Sequence, residues 1–153
     1  VLTIVLKLFN LIQPNVVFFG EKDIQQLYII KKMIQDFNLP VLLSACSTVR
    51  EKNGLAMSSR NKYLTQNEQL EASILYKTLQ KGAKLIKEKK TIHNIKKTMI
   101  EAIKQKHVII DYLEIVDFNT FSVIEDFYNK KIVLVGAIYY KKIRLIDNII
   151  IQS

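Results

Sequence analysis

At 153 residues, with 49% hydrophobic side chains, the chain is long enough to bury a real core in one domain or two small ones, which excludes a disordered tail. Its net charge of +9 is uneven: +4 over residues 1–64, +6 over 65–107 and −1 over 108–153. A basic helical middle can meet nucleic acid or an anionic membrane. Here Lys81, Lys84, Lys87, Lys89 and Lys90 are not interleaved with aromatics, so they read as a solvated face, with no nucleic acid and no membrane as partner. The single cysteine, Cys46, cannot close an internal disulfide, which fits a reducing compartment. At the end of an apolar run it is expected to be a small core residue. The longest unbroken apolar run, Ile132 to Tyr140, is well short of the roughly 20 residues of a spanning helix. Residues 1–12 are broken by Lys7 and Asn10, which argues against a signal peptide. The chain opens Val-Leu-Thr, so Val1 is not expected to be a natural start.

Val1, Ile4, Val5, Leu8, Phe9 and Ile12 recur at helical spacing, and Pro14 ends that helix. Val16-Val17-Phe18-Phe19 is a continuous apolar run, expected as a parallel strand buried on both faces. Gly20 follows, then a helix over 21–37 with Ile24, Leu27, Tyr28 and Ile34 on one side. Leu39-Pro40 breaks it, and Val41 to Cys46 forms a second strand parallel to the first. Thr65-Gln66-Asn67-Glu68 fits a capping box, opening a helix with Leu70, Ile74, Leu75, Leu79 and Ile86 as its stripe. A further helix from about Thr91 carries Ile92, Ile95, Met99, Ala102 and Ile103. Ile109 to Val116 reads as a strand, and Lys131–Tyr140 with Ile143–Ile151 as an antiparallel pair turning at Lys141-Lys142. The second part is thus α+β, and the boundary falls between Cys46 and Thr65.

Two stretches carry chemistry. Where the first strand turns through Gly20 into a helix, the carboxyl end of the strand and the helix N-terminus offer a phosphate site, to which Lys22 adds a charge. The connecting stretch from Arg50 to Leu64 spends Arg50, Ser58, Ser59 and Arg60 within eleven positions. Hydroxyls, loop N–H groups and arginine forks there suit a polyanion, and the two stretches together would make a two-sided phosphate site. A solvated surface loop is the alternative for the second stretch. His93 and His107 have no partner at ligand spacing and read as surface or core fillers, so no metal site is expected.

Lys7-Leu8-Phe9-Asn10, Gln13-Pro14, Phe19-Gly20-Glu21-Lys22-Asp23, Gln25-Gln26-Leu27, Thr48-Val49-Arg50-Glu51, Gly54 through Asn61 and Arg144 through Asn148 closely resemble the pantothenate synthetase family, in order and with similar spacing. The resemblance covers essentially the whole chain. It implies an α/β fold: a partial Rossmann-like nucleotidyl-transferase domain, 1–48, being the remainder of an ATP- and pantoate-binding domain, then a small α+β C-terminal lid domain with an antiparallel sheet, 49–153. It implies an AMP-forming ligase that joins pantoate to β-alanine through a pantoyl adenylate, with ATP as substrate and Mg2+ accompanying it, in a cytoplasmic homodimer when full length.

By position, Gly20, Glu21, Lys22 and Asp23 resemble one side of the ATP site, and Val49 an adenine contact through its backbone. Met57, Ser58, Ser59 and Arg60 resemble the lysine-methionine-serine-lysine-serine loop of the wider class, and Gln26 the pantoate-binding glutamine. Lys22 and Arg60 are the candidates for stabilising phosphate charge in catalysis. The family's methionine-glycine-x-leucine-histidine-x-glycine-histidine stretch, whose histidines bind ATP phosphates and assist catalysis, is not in this chain. Smaller departures are Ser47 for a usual proline, Asn53 for a usual aspartate and the missing glycine at Lys141-Lys142. The expectation is therefore a truncated ligase, inactive alone, with a non-catalytic nucleotide- or partner-binding fragment as the alternative.

Overall fold

The computed structural model describes residues 1–104 and 107–152. They form two compact units, Val1–Thr48 and Val49 onward, each with its own sheet. No helix among the described residues is long and apolar enough to cross a membrane.

In the first unit, α1 (Leu2–Ile12) ends at Gln13, whose left-handed backbone (φ 49°) returns its N–H to the Phe9 carbonyl just before Pro14. β1 (Val16–Gly20) and β2 (Leu42–Cys46) pair in parallel, Val16 opposite Leu42 and Gly20 opposite Cys46, with α2 (Ile24–Asp36) between them in sequence. The parallel pair agrees with the sequence reading; its burial does not. β1 alternates, so that Val17 and Phe19 are half-buried, Phe19 meeting Phe9 edge-on at 6.5 Å, while Phe18 and Leu42 stay about 70% exposed. The packed helices cover one face of a two-stranded sheet and leave the other bare. Cys46 is accordingly exposed, not a core residue, because it closes β2 at the open end of this small sheet. The stripe expected on α1 is also rotated: Leu2, Val5, Leu6 and Phe9 are half-buried, whereas Val1, Ile4, Leu8 and Ile12 face solvent. Helix α2 starts later than expected, after a 3-10 turn at Glu21–Asp23, and buries Ile24, Leu27, Ile30 and Met33. Tyr28 and Ile34 only flank that stripe.

The second unit is α+β. β3 (Val108–Asp117), β4 (Lys131–Tyr140) and β5 (Ile143–Gln152) make an antiparallel sheet with β4 central and buried throughout Ile132–Ile138. α4 (Ile74–Lys87) and α5 (Ile92–Ile103) lay Leu75, Leu79, Ile86, Ile95, Met99 and Ile103 into a core shared with Ile115, Ile132, Leu134 and Ile138. Close approach of α4 depends on Gly136: a Cβ there would stand 2.8 Å from Leu113 Cδ2 and 2.9 Å from Leu75 Cδ1. The expected first helix of this unit is two. α3 (Gln66–Ala72) stops at Ser73, which is buried and donates its hydroxyl to the Leu70 carbonyl at 2.6 Å, and Leu70 lies outside the core, 54% exposed. The hairpin turn at Lys141-Lys142 uses Lys141 with φ 53°, the left-handed region where glycine would cost least.

The capping box at Thr65 is present in full: Thr65 Oγ1 accepts from the Glu68 N–H, and the Glu68 carboxylate accepts from the Thr65 N–H. Lys141 donates to the same carboxylate, and its ammonium, ahead of the two Thr65 donors, brings the Glu68 carboxyl down to about 2 from an ordinary 4.5. A lowered folded pKa contributes stability that is complete above pH 4.5 and drains away as pH falls toward 2. Glu68→Gln keeps the cap and removes the charge. The urea midpoint of the wild type is expected to exceed that of the variant at neutral pH and to converge on it between pH 4.5 and 2. A gap unchanged over that window would mean that the Lys141 pair contributes nothing. Nearby, the hydroxyl of buried Tyr140 donates to Glu71, and that bond, with burial, pushes the phenol up to about 12.

Candidate functional site

The first unit places Gly20, Glu21, Lys22 and Asp23 consecutively at the carboxyl end of β1. Gly20 has an ordinary extended backbone (φ −74°), and a Cβ there would meet nothing within 4 Å, so the turn itself does not demand glycine. The 3-10 turn leads directly into α2. Asp23 is the N-cap residue but makes no side-chain cap bond, and no acidic residue follows in the first turn. First-turn N–H groups without a capping side chain, backed by the helix dipole, suit a phosphate oxygen. Buried Ile24 and Leu27 pin this turn, and Gln26 between them is half-buried on α2.

In the second unit, Val49 and the Met57–Arg60 segment are brought together by a short ribbon. The Met57 N–H donates to the Val49 carbonyl at 2.9 Å, Arg50 bridges Ala56, and the Glu51 N–H donates to Leu55 at 2.8 Å. The ribbon turns at Gly54, whose φ of +92° favours glycine and whose absent Cβ would lie 2.8 Å from the Tyr76 ring. Asn53 Oδ1 accepts from the Leu55 N–H at 2.9 Å, a role an aspartate carboxylate fills equally, which accounts for the mildness of that departure. Leu55 and Ala56 are buried, while Val49 and Met57 are 66% and 51% exposed side by side. A backbone contact from Val49 to a ligand would use its N–H or the second lone pair of its carbonyl.

Beyond Met57, Ser58 caps a 3-10 turn over Ser59–Tyr63. Its Oγ accepts from the Arg60 N–H at 3.2 Å, which leaves the hydroxyl proton to donate outward. Ser59 and Arg60 are exposed, and no ion pair is made by the Arg60 guanidinium among the described residues. A small turn therefore holds two hydroxyls and a guanidinium at the surface, each with an O–H or N–H to donate.

Arg50 departs from the sequence reading. It does not present its charge to an incoming anion. Nη1 donates to Asp147 Oδ2 at 2.6 Å and Nη2 to Oδ1 at 2.9 Å, Nη1 also reaches the Gly54 carbonyl at 3.2 Å, and the guanidinium carbon lies 3.7 Å from the Tyr76 ring centroid. Its partner is 97 positions away in the chain, a distance at which no local pattern signals a pair. The sequence pattern includes Asn61 without giving it a role. It is buried, its Nδ2 donates to the Ala56 carbonyl at 3.2 Å, and its own carbonyl accepts from Leu64 and from the Gln69 amide, fastening the far end of the turn. An asparagine directly after an arginine and two serines is the one signal that could have marked it. His93 and His107 are both exposed in the second unit. No cluster of three or more potential metal ligands occurs among the described residues.

Residues 1–150 match the family model described as Pantoate-beta-alanine ligase. The chain is 44% identical to a pantothenate synthetase of Caldicellulosiruptor bescii over all of its own length and 55% of that protein's. A solved pantothenate synthetase from Thermus thermophilus superposes with a TM-score of 0.87 at 34% identity, covering 96% of this chain and 53% of that one. A pantoate-beta-alanine ligase from Francisella tularensis, solved in complex with beta-gamma ATP and beta-alanine, matches at 0.67 and 29%, over 97% and 48% of the two chains. The chain spans about half the length of the curated relatives it matches.

Proposed function

Because the chain belongs to the pantoate-beta-alanine ligase family, we propose that it supplies the nucleotide-handling part of an ATP-dependent condensation of pantoate with β-alanine. In this reaction the pantoate carboxylate attacks the α-phosphate of ATP, pyrophosphate leaves, and the β-alanine amine then displaces AMP from pantoyl adenylate. No protein nucleophile is needed; the protein contributes donors and charge where phosphate charge builds up. The observation that carries the reading is the ribbon: it joins Val49, the proposed adenine contact, by a hydrogen bond to Met57, at the head of the turn that carries Ser58, Ser59 and Arg60.

Arg60 and Lys22 are assigned to charge stabilisation, Ser58 and Ser59 to positioning the polyphosphate, Gly20 through Asp23 to the nucleotide, and Gln26 to pantoate. Residues 1–48 act as the remainder of an ATP- and pantoate-binding domain, and the second unit as a lid domain. Mg2+ would enter as the MgATP complex, held chiefly by the phosphates. The reading takes in the homodimer and the cytoplasmic setting that the resemblance implies.

A second reading concerns the chain by itself. It lacks the paired-histidine stretch, and its two histidines are exposed in the second unit. Alone, it binds nucleotide without turning it over. Pantoate-dependent ATP–pyrophosphate exchange separates the two readings. No exchange is expected from the purified chain, and exchange is expected once the other half of a relative is supplied. Exchange by the chain alone would overturn the second reading, and none with both halves would overturn the first.

A further inference from the structure

We propose that Arg50 is a positioning residue for the nucleotide: it fixes the Val49–Met57 ribbon against β5 and so aims the turn that follows, without touching phosphate itself. The inference rests on the ATP reading above. Arg50 stands one residue from Val49, and the residue it bridges, Ala56, stands one from Met57, so a fork that holds Arg50 acts at the base of both. That fork is used up internally. Asp147, itself almost fully buried, takes both terminal nitrogens, the Gly54 carbonyl shares one of them, and Tyr76 closes one face of the guanidinium. A buried ion pair adds little net stability over apolar packing of the same shape. What a two-pronged pair adds is orientation, and a lysine point charge cannot reproduce it. The pair ties the Thr48–Glu51 stretch to Arg144–Asn148: one supplies the fork and the other its seat.

The test is Arg50→Lys in the full 153-residue chain, with amide hydrogen exchange and MgATP calorimetry as readouts. Protection of β4 amides should match the wild type, the Met57 amide should exchange about tenfold faster or more, and MgATP should bind about tenfold more weakly. Unchanged MgATP affinity beside a loosened ribbon would make the role merely structural and overturn the proposal. Weakened affinity with an unchanged Met57 amide would mean that Arg50 meets the ligand directly, which also overturns it. Should Arg50→Lys unfold, Asp147→Asn is tested with the Met57 amide compared against the β4 amides of the same variant. A loss of protection at Met57 larger than at β4, with weaker MgATP binding, supports the proposal, and an equal loss at both assigns the pair to general stability and overturns it. A wild-type chain that binds no MgATP would instead sink the nucleotide reading, and the inference with it.

Discussion

Asp147→Ala should cost the second unit about 3 kcal/mol, the low end of what breaking a buried ion pair costs, because the Arg50 side chain keeps some contact with water. Three things go at once. Both charge-assisted bonds to Arg50 are lost, the Asn148 N–H loses its acceptor at 2.8 Å, and a guanidinium is left facing a pocket that no longer carries a charge. Urea unfolding followed by far-UV circular dichroism measures the loss, since the chain has no tryptophan. The double variant Arg50→Leu/Asp147→Ala should recover part of it, because the stranded charge is then gone. A loss below about 1 kcal/mol would place the pair with ordinary surface ion pairs.

Arg60→Ala, in this chain fused to the other half of a relative, should slow adenylate formation about 100-fold, the cost of one donor lost where phosphate charge develops. Stability should hardly change. The guanidinium is exposed and unpaired among the described residues, and the Arg60 main chain keeps its bond to Ser58. That contrast separates chemistry from folding, which the Asp147 variant cannot do. Lys22→Ala should act in the same direction. Single-turnover formation of pantoyl adenylate at the wild-type rate in the Arg60 variant would remove Arg60 from the proposed chemistry.

The strands of the second unit were legible because Ile132–Tyr140 and Ile143–Ile151 are β-branched runs separated by two lysines, and the first-unit pair because short apolar runs flank a helical pattern. The capping box was equally plain, since its two partners are three residues apart. What could not be read depended on neighbours far along the chain. Val16-Val17-Phe18-Phe19 has the composition of a strand covered on both faces, but composition does not count the layers that cover it. The break at Ser73 leaves the hydrophobic spacing intact and is visible only through the side-chain bond to Leu70. For the candidate site, residue types were legible and allegiances were not. Arg50, Ser58, Ser59 and Arg60 pointed to an anion, yet one of the two arginines is committed to Asp147.

Gly136 lies directly opposite Asp147 in the β4–β5 register, so the two positions share a face of the sheet, the one on which Leu75 and Tyr76 of α4 approach. A methyl group at position 136 would press on Leu113 Cδ2 and Leu75 Cδ1, and Leu75 adjoins Tyr76, the residue that covers the guanidinium. Damage to the proposed nucleotide loop can therefore originate in the middle of the sheet, at a residue with no polar atom in its side chain and no ligand to lose. Loss-of-function variants of this fold should be sought as much among its smallest interior side chains as among its charged ones.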